Sequence, residues 1–400
     1  RGNEKLHHPE RERERMAFVR RLQQGILDAL VKPNKLRRSP VSSSPNDDFP
    51  FVFSSVLDSP LSHASVPISS AVVDARCVPF SSLSTFLYRT SSLLARQSTR
   101  DSRLLYVASS ASPLQISIME GTVRSLSKEL GPRGSTVNLV VSPPGLDPPR
   151  FFTGDGCAYV SGQSVRVASP PSPPPTPLCV VTGGARGIGL SVADRLSDKY
   201  RVMVVDHPSS DFGEAEARGF EVIKVDVTSP DAAEIIADKA GGETIGGLVH
   251  AAGITRDKTM KRMKMEAWRS VMDVNLHSVM SIDAGLSSLG ALQRGCRVVA
   301  VGSTSGVAGN VGQTNYAASK SGLAGWAEEF TSTTNGGRED VMYNVVAPGF
   351  IETDMTKNLP TMVTFMATRV MCPLRAAGLP SDVSKAVEFL MEGGCRGQTL

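Results

Sequence analysis

The sequence predicts an α/β protein built on a doubly wound parallel sheet, and three observations predict it. From Leu178 onward the runs LCVVT, RVMVVD, EVIKVDV, GLVHAAG, RVVAVGS and YNVVAPG are short, apolar and β-branched. They are separated by stretches long enough for helices, the pattern of strands buried on both faces and joined by crossover helices. The second observation is TGGARGIG, Thr182–Gly189, directly after the first of these runs and opening a helix. The third is an internal repeat: RLLYVASS from Arg103 lines up with RVVAVGS from Arg297, and EGTVRSLSKEL from Glu120 with SGLAGWAEEF from Ser321. VNLVVSPPG likewise matches YNVVAPG, and CAYVSGQSV echoes CRGQTL. An N-terminal segment is therefore a diverged relative of the C-terminal one.

A chain of 400 residues exceeds what one core needs, so two domains are expected. The predicted divisions are a charged lead over 1–50, a first α/β domain over 51–168, a spacer over 169–177 and a second α/β domain over 178–400. In the lead, MAFVRRLQQGILDAL is the one amphipathic stretch. From about 50 to 102 the chain is rich in serine, with SSAVVDA as its clear apolar run. RLLYVASS and STVNLVV read as strands around the helix EGTVRSLSKEL. The spacer SPPSPPPTP cannot enter helix interiors or central strands, so it reads as a semi-rigid connection.

Composition bounds the function. Hydrophobic residues at 40% with 20% charged are those of an ordinary globular chain. The net charge of +4 is concentrated near Arg11 to Arg15 and Arg37–Arg38, where it alternates with glutamate and lacks aromatic interleaving. That favours a solvated arm over nucleic-acid binding. The six cysteines are scattered with no C-x-x-C pair, which argues against a zinc site or a disulfide framework and suits a reducing compartment. No apolar run is long enough to span a membrane. Because Arg1 is not an initiator methionine, the expectation is a fragment or processed form. A cytoplasmic location is expected, or an organelle matrix if a targeting signal lies upstream.

The glycine loop carries the first chemistry. A phosphate needs backbone N–H donors at close approach, which side chains would block; hence Gly183, Gly187 and Gly189, with Arg186 and Ile188 between them. The helix that follows adds a dipole favourable to a pyrophosphate. Between a strand and a helix, this is a Rossmann-type dinucleotide signature. Asp206 ends the second strand, where a carboxylate accepts from an adenosine ribose 2′-hydroxyl and repels a 2′-phosphate. This favours NAD(H) over NADP(H); Arg186, able to hold that phosphate, is the counterweight.

The second chemistry lies in Ser303 and Tyr316-Ala-Ala-Ser-Lys320. Tyr and Lys at this spacing share one helix face, one turn apart. A free phenol has a pKa of about 10, and a nearby ammonium makes it a usable acid or base. Ser303 ends a strand, where its hydroxyl can hold a carbonyl oxygen. Y-x-x-x-K alone is common by chance; with the upstream serine and the glycine loop it is specific.

TGGARGIG, DVT, HAAG, DVNL, GSTSG, GQTNYAASK and APGFIETDM together resemble the short-chain dehydrogenase/reductase family. AGITRDK and GNVGQTNYAASKSG are most similar to its 3-oxoacyl-ACP reductases. The layout, with a degenerate flavodoxin-like or Rossmann-like domain ahead of the catalytic one, resembles the high-molecular-weight members of that branch. The resemblance is close over about 178–400 and looser over about 70–168. It implies Tyr316 as proton donor, Lys320 gripping the nicotinamide ribose, Ser303 positioning the carbonyl, and Asn275 completing a tetrad through a water. It also implies adenine contacts from Asp226 and Val227, cofactor contacts from Ala252 and Gly253, and nicotinamide contacts from Pro348, Gly349, Ile351 and Thr353. The expected reaction is reduction of a 3-oxoacyl thioester, ACP- or CoA-linked, in a homodimer or homotetramer. Another ketone or secondary alcohol, or a non-catalytic NAD-binding scaffold, are the alternatives.

Departures from the family pattern set further expectations. His250 in HAAG stands where an asparagine is commoner, and reads as structural. TSTTNGGREDVMYN is unusually polar for its place, and the chain stops at GQTL where the family continues into a last strand. Methionines in the loop 352–371 suit an apolar substrate or simple packing. In the repeat, Ser109 matches Ser303, but Gln115 and Met119 fall where Tyr316 and Lys320 would stand, so the first domain is expected to be silent.

Overall fold

The computed structural model describes residues 51–53, 68–109, 113–169, 178–331, 341–357, 361–392 and 394–400. The charged lead, nearly all of the proline-rich spacer and most of TSTTNGGRED lie outside them. Two all-parallel sheets form the frame.

The first sheet is assembled from β1 (Phe51–Phe53), β2 (Ile68–Asp74), α1 (Phe80–Gln97), β3 (Ser98–Ala108), α2 (Pro113–Leu130), β4 (Thr136–Val141) and β5 (Ser164–Arg166). Its five strands run in the order β1-β2-β3-β4-β5. Helix α1 is a correction to the serine-rich reading of this region. Serine hides a helical stripe in which Leu83, Phe86, Leu87, Thr90 and Leu94 are all buried, the i, i+3, i+4, i+7 spacing of a helix laid on a sheet.

The second sheet contains β6 (Leu178–Thr182), α3 (Gly187–Leu196), β7 (Arg201–Asp206), α4 (Gly213–Ala217), β8 (Glu221–Lys224), α5 (Ala232–Lys239) and β9 (Ile245–His250). It continues through α6 (Met265–Met272), α7 (Ser278–Ser288), β10 (Leu292–Val301), α8 (Thr304–Ala308), α9 (Thr314–Thr331), β11 (Val341–Val346), α10 (Asp354–Lys357), α11 (Thr361–Phe365) and α12 (Pro380–Glu392). The six-stranded order is β11-β10-β9-β6-β7-β8, so the chain reverses direction of winding between β6 and β9, where such sheets open a crevice. Strands β6 and β9 are buried along their whole lengths, which is why they read as unbroken apolar runs.

Hydrogen bonding reproduces the repeat position by position. Asn138 in β4 donates to Val160 O at 2.8 Å and accepts from Gln163 N at 3.1 Å. Asn344 in β11 donates to Cys395 O at 2.9 Å and accepts from Gln398 N at 3.0 Å. Gly162 N reaches Val137 O at 2.7 Å, as Gly397 N reaches Tyr343 O at 2.8 Å. Each asparagine thus stitches a returning chain to its strand, and Val160 stands in the first copy where Cys395 stands in the second. Thr399 begins a parallel pairing with Val345, the place β5 holds beside β4 in the first copy.

The first copy is abridged between its first two strands. Only residues 54–67, none of them glycine, separate β1 from β2, whereas α3, β7, α4, β8 and α5 lie between β6 and β9. Among the described residues the first copy has no counterpart of those elements. The described residues from Phe51 onward nevertheless pack as one compact unit. A single buried cluster runs from Val72, Leu105, Val107 and Val140 of the first sheet to Val181, Val387 and Leu390 of the second half. Phe151 stacks on Phe389 of α12 at 4.6 Å, with Phe152 edge-on to the same ring at 5.2 Å. Sharing of this apolar surface is what joins the copies.

Candidate active site

Parallel strands place all their C-terminal ends on one edge, and the predicted residues gather there from six segments. The glycine loop follows β6, Asp206 ends β7, Asp226 follows β8, and Ala252–Gly253 follow β9. Ser303 follows β10, and Pro348–Thr353 follow β11.

The glycine loop is tight for identifiable reasons. Gly183 has φ +67, and a Cβ there would lie 2.5 Å from Ala252 N. A Cβ on Gly189 would collide with the Gly183 carbonyl oxygen. The loop is thus folded against the chain after β9 and the first turn of α3, with no side chain at its glycines; such a cradle fits a pyrophosphate. Asp206 holds the loop from below, accepting from Ala185 N at 3.0 Å through one oxygen. Its other oxygen accepts from His207 N at 2.8 Å and Ser210 Oγ at 2.7 Å. Arg186 caps α3 without a side-chain bond and is exposed; its charge acts on Asp354, beyond β11. Ile188 is partly buried and packs against the core.

Asp226 folds back on its own turn, accepting from Thr228 N at 2.9 Å and Thr228 Oγ1 at 2.8 Å. The Thr228 backbone bond is the main reason its carboxyl is held below the usual carboxylate range. Val227 beside it is buried. Pro348 O accepts from Thr304 N at 3.0 Å, tying the loop after β11 to the segment that carries Ser303. Ile351 is buried, Gly349 exposed, and Thr353 N donates to Thr356 Oγ1 at 2.9 Å.

Ser303, Tyr316, Lys320 and Asn275 converge. The Ser303 hydroxyl caps α8 by accepting from Ser305 N at 3.1 Å, and it lies where it acts to lower the pKa of the Tyr316 phenol. Lys320 Nζ lies 5.8 Å from the centre of the Tyr316 ring and donates to Val301 O at 2.7 Å. Burial raises the phenol above its ordinary value, and the Ser303 hydroxyl offsets part of that rise. Burial also brings Lys320 down to about 8. The result is a protonated phenol beside a lysine close to its titration point.

Asn275 is completely buried in a π-helical turn, Asp273–His277, between α6 and α7, a geometry often found at functional sites. It accepts from Ile254 N at 2.8 Å, donates to Ile254 O at 3.0 Å, and donates to Ser319 Oγ at 3.1 Å. A single amide therefore clamps the chain after β9 to the helix that carries Tyr316 and Lys320. Gly253 fits beneath, with both Asn275 Oδ1 and Lys320 Nζ 3.4 Å from where its Cβ would be.

Residues not singled out in the sequence complete the site. Gln313 donates to Asp257 at 2.9 Å and accepts from Ser305 at 3.1 Å, and the Asp257 charge acts on the Tyr316 phenol. Their strings, AGITRDK and GNVGQTNYAASK, were visible, but the pairing of two loops was not. His250 is fully buried, edge-on to Trp326 at 6.1 Å, with Nε2 lacking a partner; burial drives it down to about 3. It is a neutral core residue. In the first copy Ser109 and Gln115 are partly exposed and Met119 is buried in the core, so no acid or base stands there. Among the described residues no cluster of metal-ligating side chains occurs, and no helix is long and apolar enough to cross a membrane.

Comparison with known proteins shows the family. The short chain dehydrogenase family model matches residues 178–364. A 3-oxoacyl-[acyl-carrier-protein] reductase of Vibrio cholerae is 36% identical over 222 residues, covering 53% of this chain and 88% of that protein. The same reductase of Escherichia coli is 33% identical over 222 residues, with 53% and 88% covered. An acetoacetyl-CoA reductase of Synechocystis is 36% identical over 214 residues, with 53% and 87% covered. These similarities take in about half of the chain.

Proposed function

Since the chain belongs to the short-chain dehydrogenase family, we propose that it reduces the keto group of a 3-oxoacyl thioester, ACP- or CoA-linked, to the 3-hydroxyacyl form with NADH. Membership makes it an NAD(P)-dependent oxidoreductase. The thioester is the substrate named by its relatives, and the preference for NADH rests on Asp206, whose carboxylate would meet a 2′-phosphate with like charge. The nicotinamide, when bound, supplies the hydride.

The single observation that carries the reading is the Ser303–Tyr316–Lys320 arrangement at the mouth of the crevice. A substrate carbonyl oxygen set between the Ser303 hydroxyl and the Tyr316 phenol receives two hydrogen bonds. As negative charge develops on that oxygen, Tyr316 hands over its proton, and a phenol kept protonated by burial suits this direction. Lys320 stabilises the phenolate left behind. Asn275 keeps the floor of the site fixed so that these distances are set before substrate arrives. Exposed Val307, Met355 and Met362 on the surrounding segments offer apolar contact for an acyl chain.

The test is oxidation of NADH and of NADPH with acetoacetyl-CoA, comparing the parent with Tyr316→Phe. We expect NADH-dependent turnover that falls by roughly 10²–10⁴-fold in the variant, the worth of a positioned general acid. A parent that binds NADH but turns over no 3-oxoacyl thioester would overturn the proposal and favour a scaffold that only binds the nucleotide.

A further inference from the structure

The loop that would face the nicotinamide is held partly from outside its own half. After β11 the chain turns through Pro348–Thr353, leaves on an excursion, and returns through Cys372–Gly378. The two ends of the excursion are joined by Gly378 N to Phe350 O at 2.9 Å and Glu352 N to Gly378 O at 2.9 Å. That is a short, isolated pairing of Ile351 with Gly378, too small to be stiff alone.

Tyr159, from the silent copy, lies across this junction. Its hydroxyl is 3.1 Å from Phe350 O and 3.2 Å from Ala376 O, so one proton is shared between the two ends. Cys372 Sγ is 3.7 Å from the same hydroxyl. The ring fills the space a side chain at position 378 would need, since a Cβ on Gly378 would sit 2.5 Å from Tyr159 Cε1. The same half touches the returning segment again at Gly131, where a Cβ would lie 2.5 Å from Pro373 O. Burial raises the phenol, so it remains a donor at any working pH.

The repeat shows that this contact belongs to the silent copy alone. The paired asparagine bonds set Val160 equivalent to Cys395, so Tyr159 is equivalent to Gly394, which has no side chain to reach out. We propose that Tyr159 is a positioning residue for the active site of the other half: it pins the loop 348–353 to the returning segment 372–378. The silent copy is thereby an internal subunit that stiffens the catalytic one. This rests on the reading of 348–353 as the nicotinamide-facing loop.

The experiment compares the full chain with Tyr159→Phe, which keeps the ring and removes the donor, and with Tyr88→Phe, an exposed tyrosine on α1, as control. NADH affinity is measured by fluorescence titration, and backbone amide exchange by mass spectrometry. Tyr159→Phe is expected to weaken NADH binding about fivefold, the equivalent of ~1 kcal/mol for one hydrogen bond. It should also speed exchange at Glu352 and Gly378 while β6 and β9 exchange as in the parent, with Tyr88→Phe changing neither. Unchanged exchange at Glu352 and Gly378, or faster exchange spread evenly over both sheets, would overturn the proposal. A parent that binds no NADH would sink the dehydrogenase reading instead, and the exchange comparison would still decide Tyr159.

Discussion

An imidazole with no hydrogen-bond partner for one nitrogen, buried against Trp326, makes stability depend on pH in a way that can be calculated. His250 is held at about 3 in the folded chain against an ordinary value of 6.5. Between those values the unfolded chain binds a proton that the folded chain refuses, so stability is intact above about 6.5 and falls as the pH drops towards 3. One proton changes stability by about 1.4 kcal/mol per pH unit. Lowering the pH from 7 to 5 therefore costs about 2 kcal/mol through this residue alone. Many carboxylates titrate lower in the same range, so the perturbation must be differential. His250→Leu places an apolar side chain of similar size beside Trp326 and removes the titration. Urea unfolding of parent and variant at pH 7 and pH 5 gives four midpoints. We expect the parent to lose about 2 kcal/mol more than the variant over that interval. Equal losses in the two proteins would show that His250 is protonated in the fold or reached by water, and the reasoning would fail.

Lys320 gives a second pH dependence. Burial lowers it to about 8, so its ammonium is present below that pH and lost as the pH rises through it; kcat/KM for reduction should fall along a limb near pH 8, and a profile flat to pH 10 would contradict this. The same shift has a stability counterpart of opposite sense, because the cost of burying the charged lysine is relieved as the pH rises from about 8 towards 10.5. Asp206→Asn keeps an acceptor for Ala185 N while removing the charge, so its ratio of NADPH to NADH efficiency should rise at least about tenfold, which is about 1.4 kcal/mol of relieved repulsion; steady-state kinetics with both nucleotides at saturating acetoacetyl-CoA measures it, and an unchanged ratio would remove Asp206 as the discriminator.

Much of the catalytic half was legible because its information is local. Strands such as LCVVT and RVVAVGS are buried on both faces, so every position is apolar and the run announces itself. The glycine loop is legible because Gly183 and Gly189 answer to steric demands within a few residues, and Tyr316 and Lys320 because helical periodicity alone puts them on one face. Helix α1 was not legible, since its serines mask a stripe that only burial against β2 and β3 explains. Asn275 was placed by resemblance, but its π-helical turn and its grip on both Ile254 and Ser319 depend on segments brought together from three parts of the chain.

The sequence by itself determined the parallel-sheet α/β fold and the dehydrogenase family, and it placed the glycine loop, the Ser303, Tyr316 and Lys320 constellation and the repeat. Each follows from residue type and spacing, which act over one strand, one turn or one helix face. Only the tertiary structure decided how Tyr316 and Lys320 are tuned, because desolvation depends on everything packed around them. It alone also joined the two halves, since Phe151, Tyr159 and Phe389 are unremarkable in sequence and acquire their roles through contacts between distant segments. The glycine at position 394 and the tyrosine at 159 occupy equivalent places in the repeat, yet only the tyrosine has a side chain long enough to reach the other copy's loop.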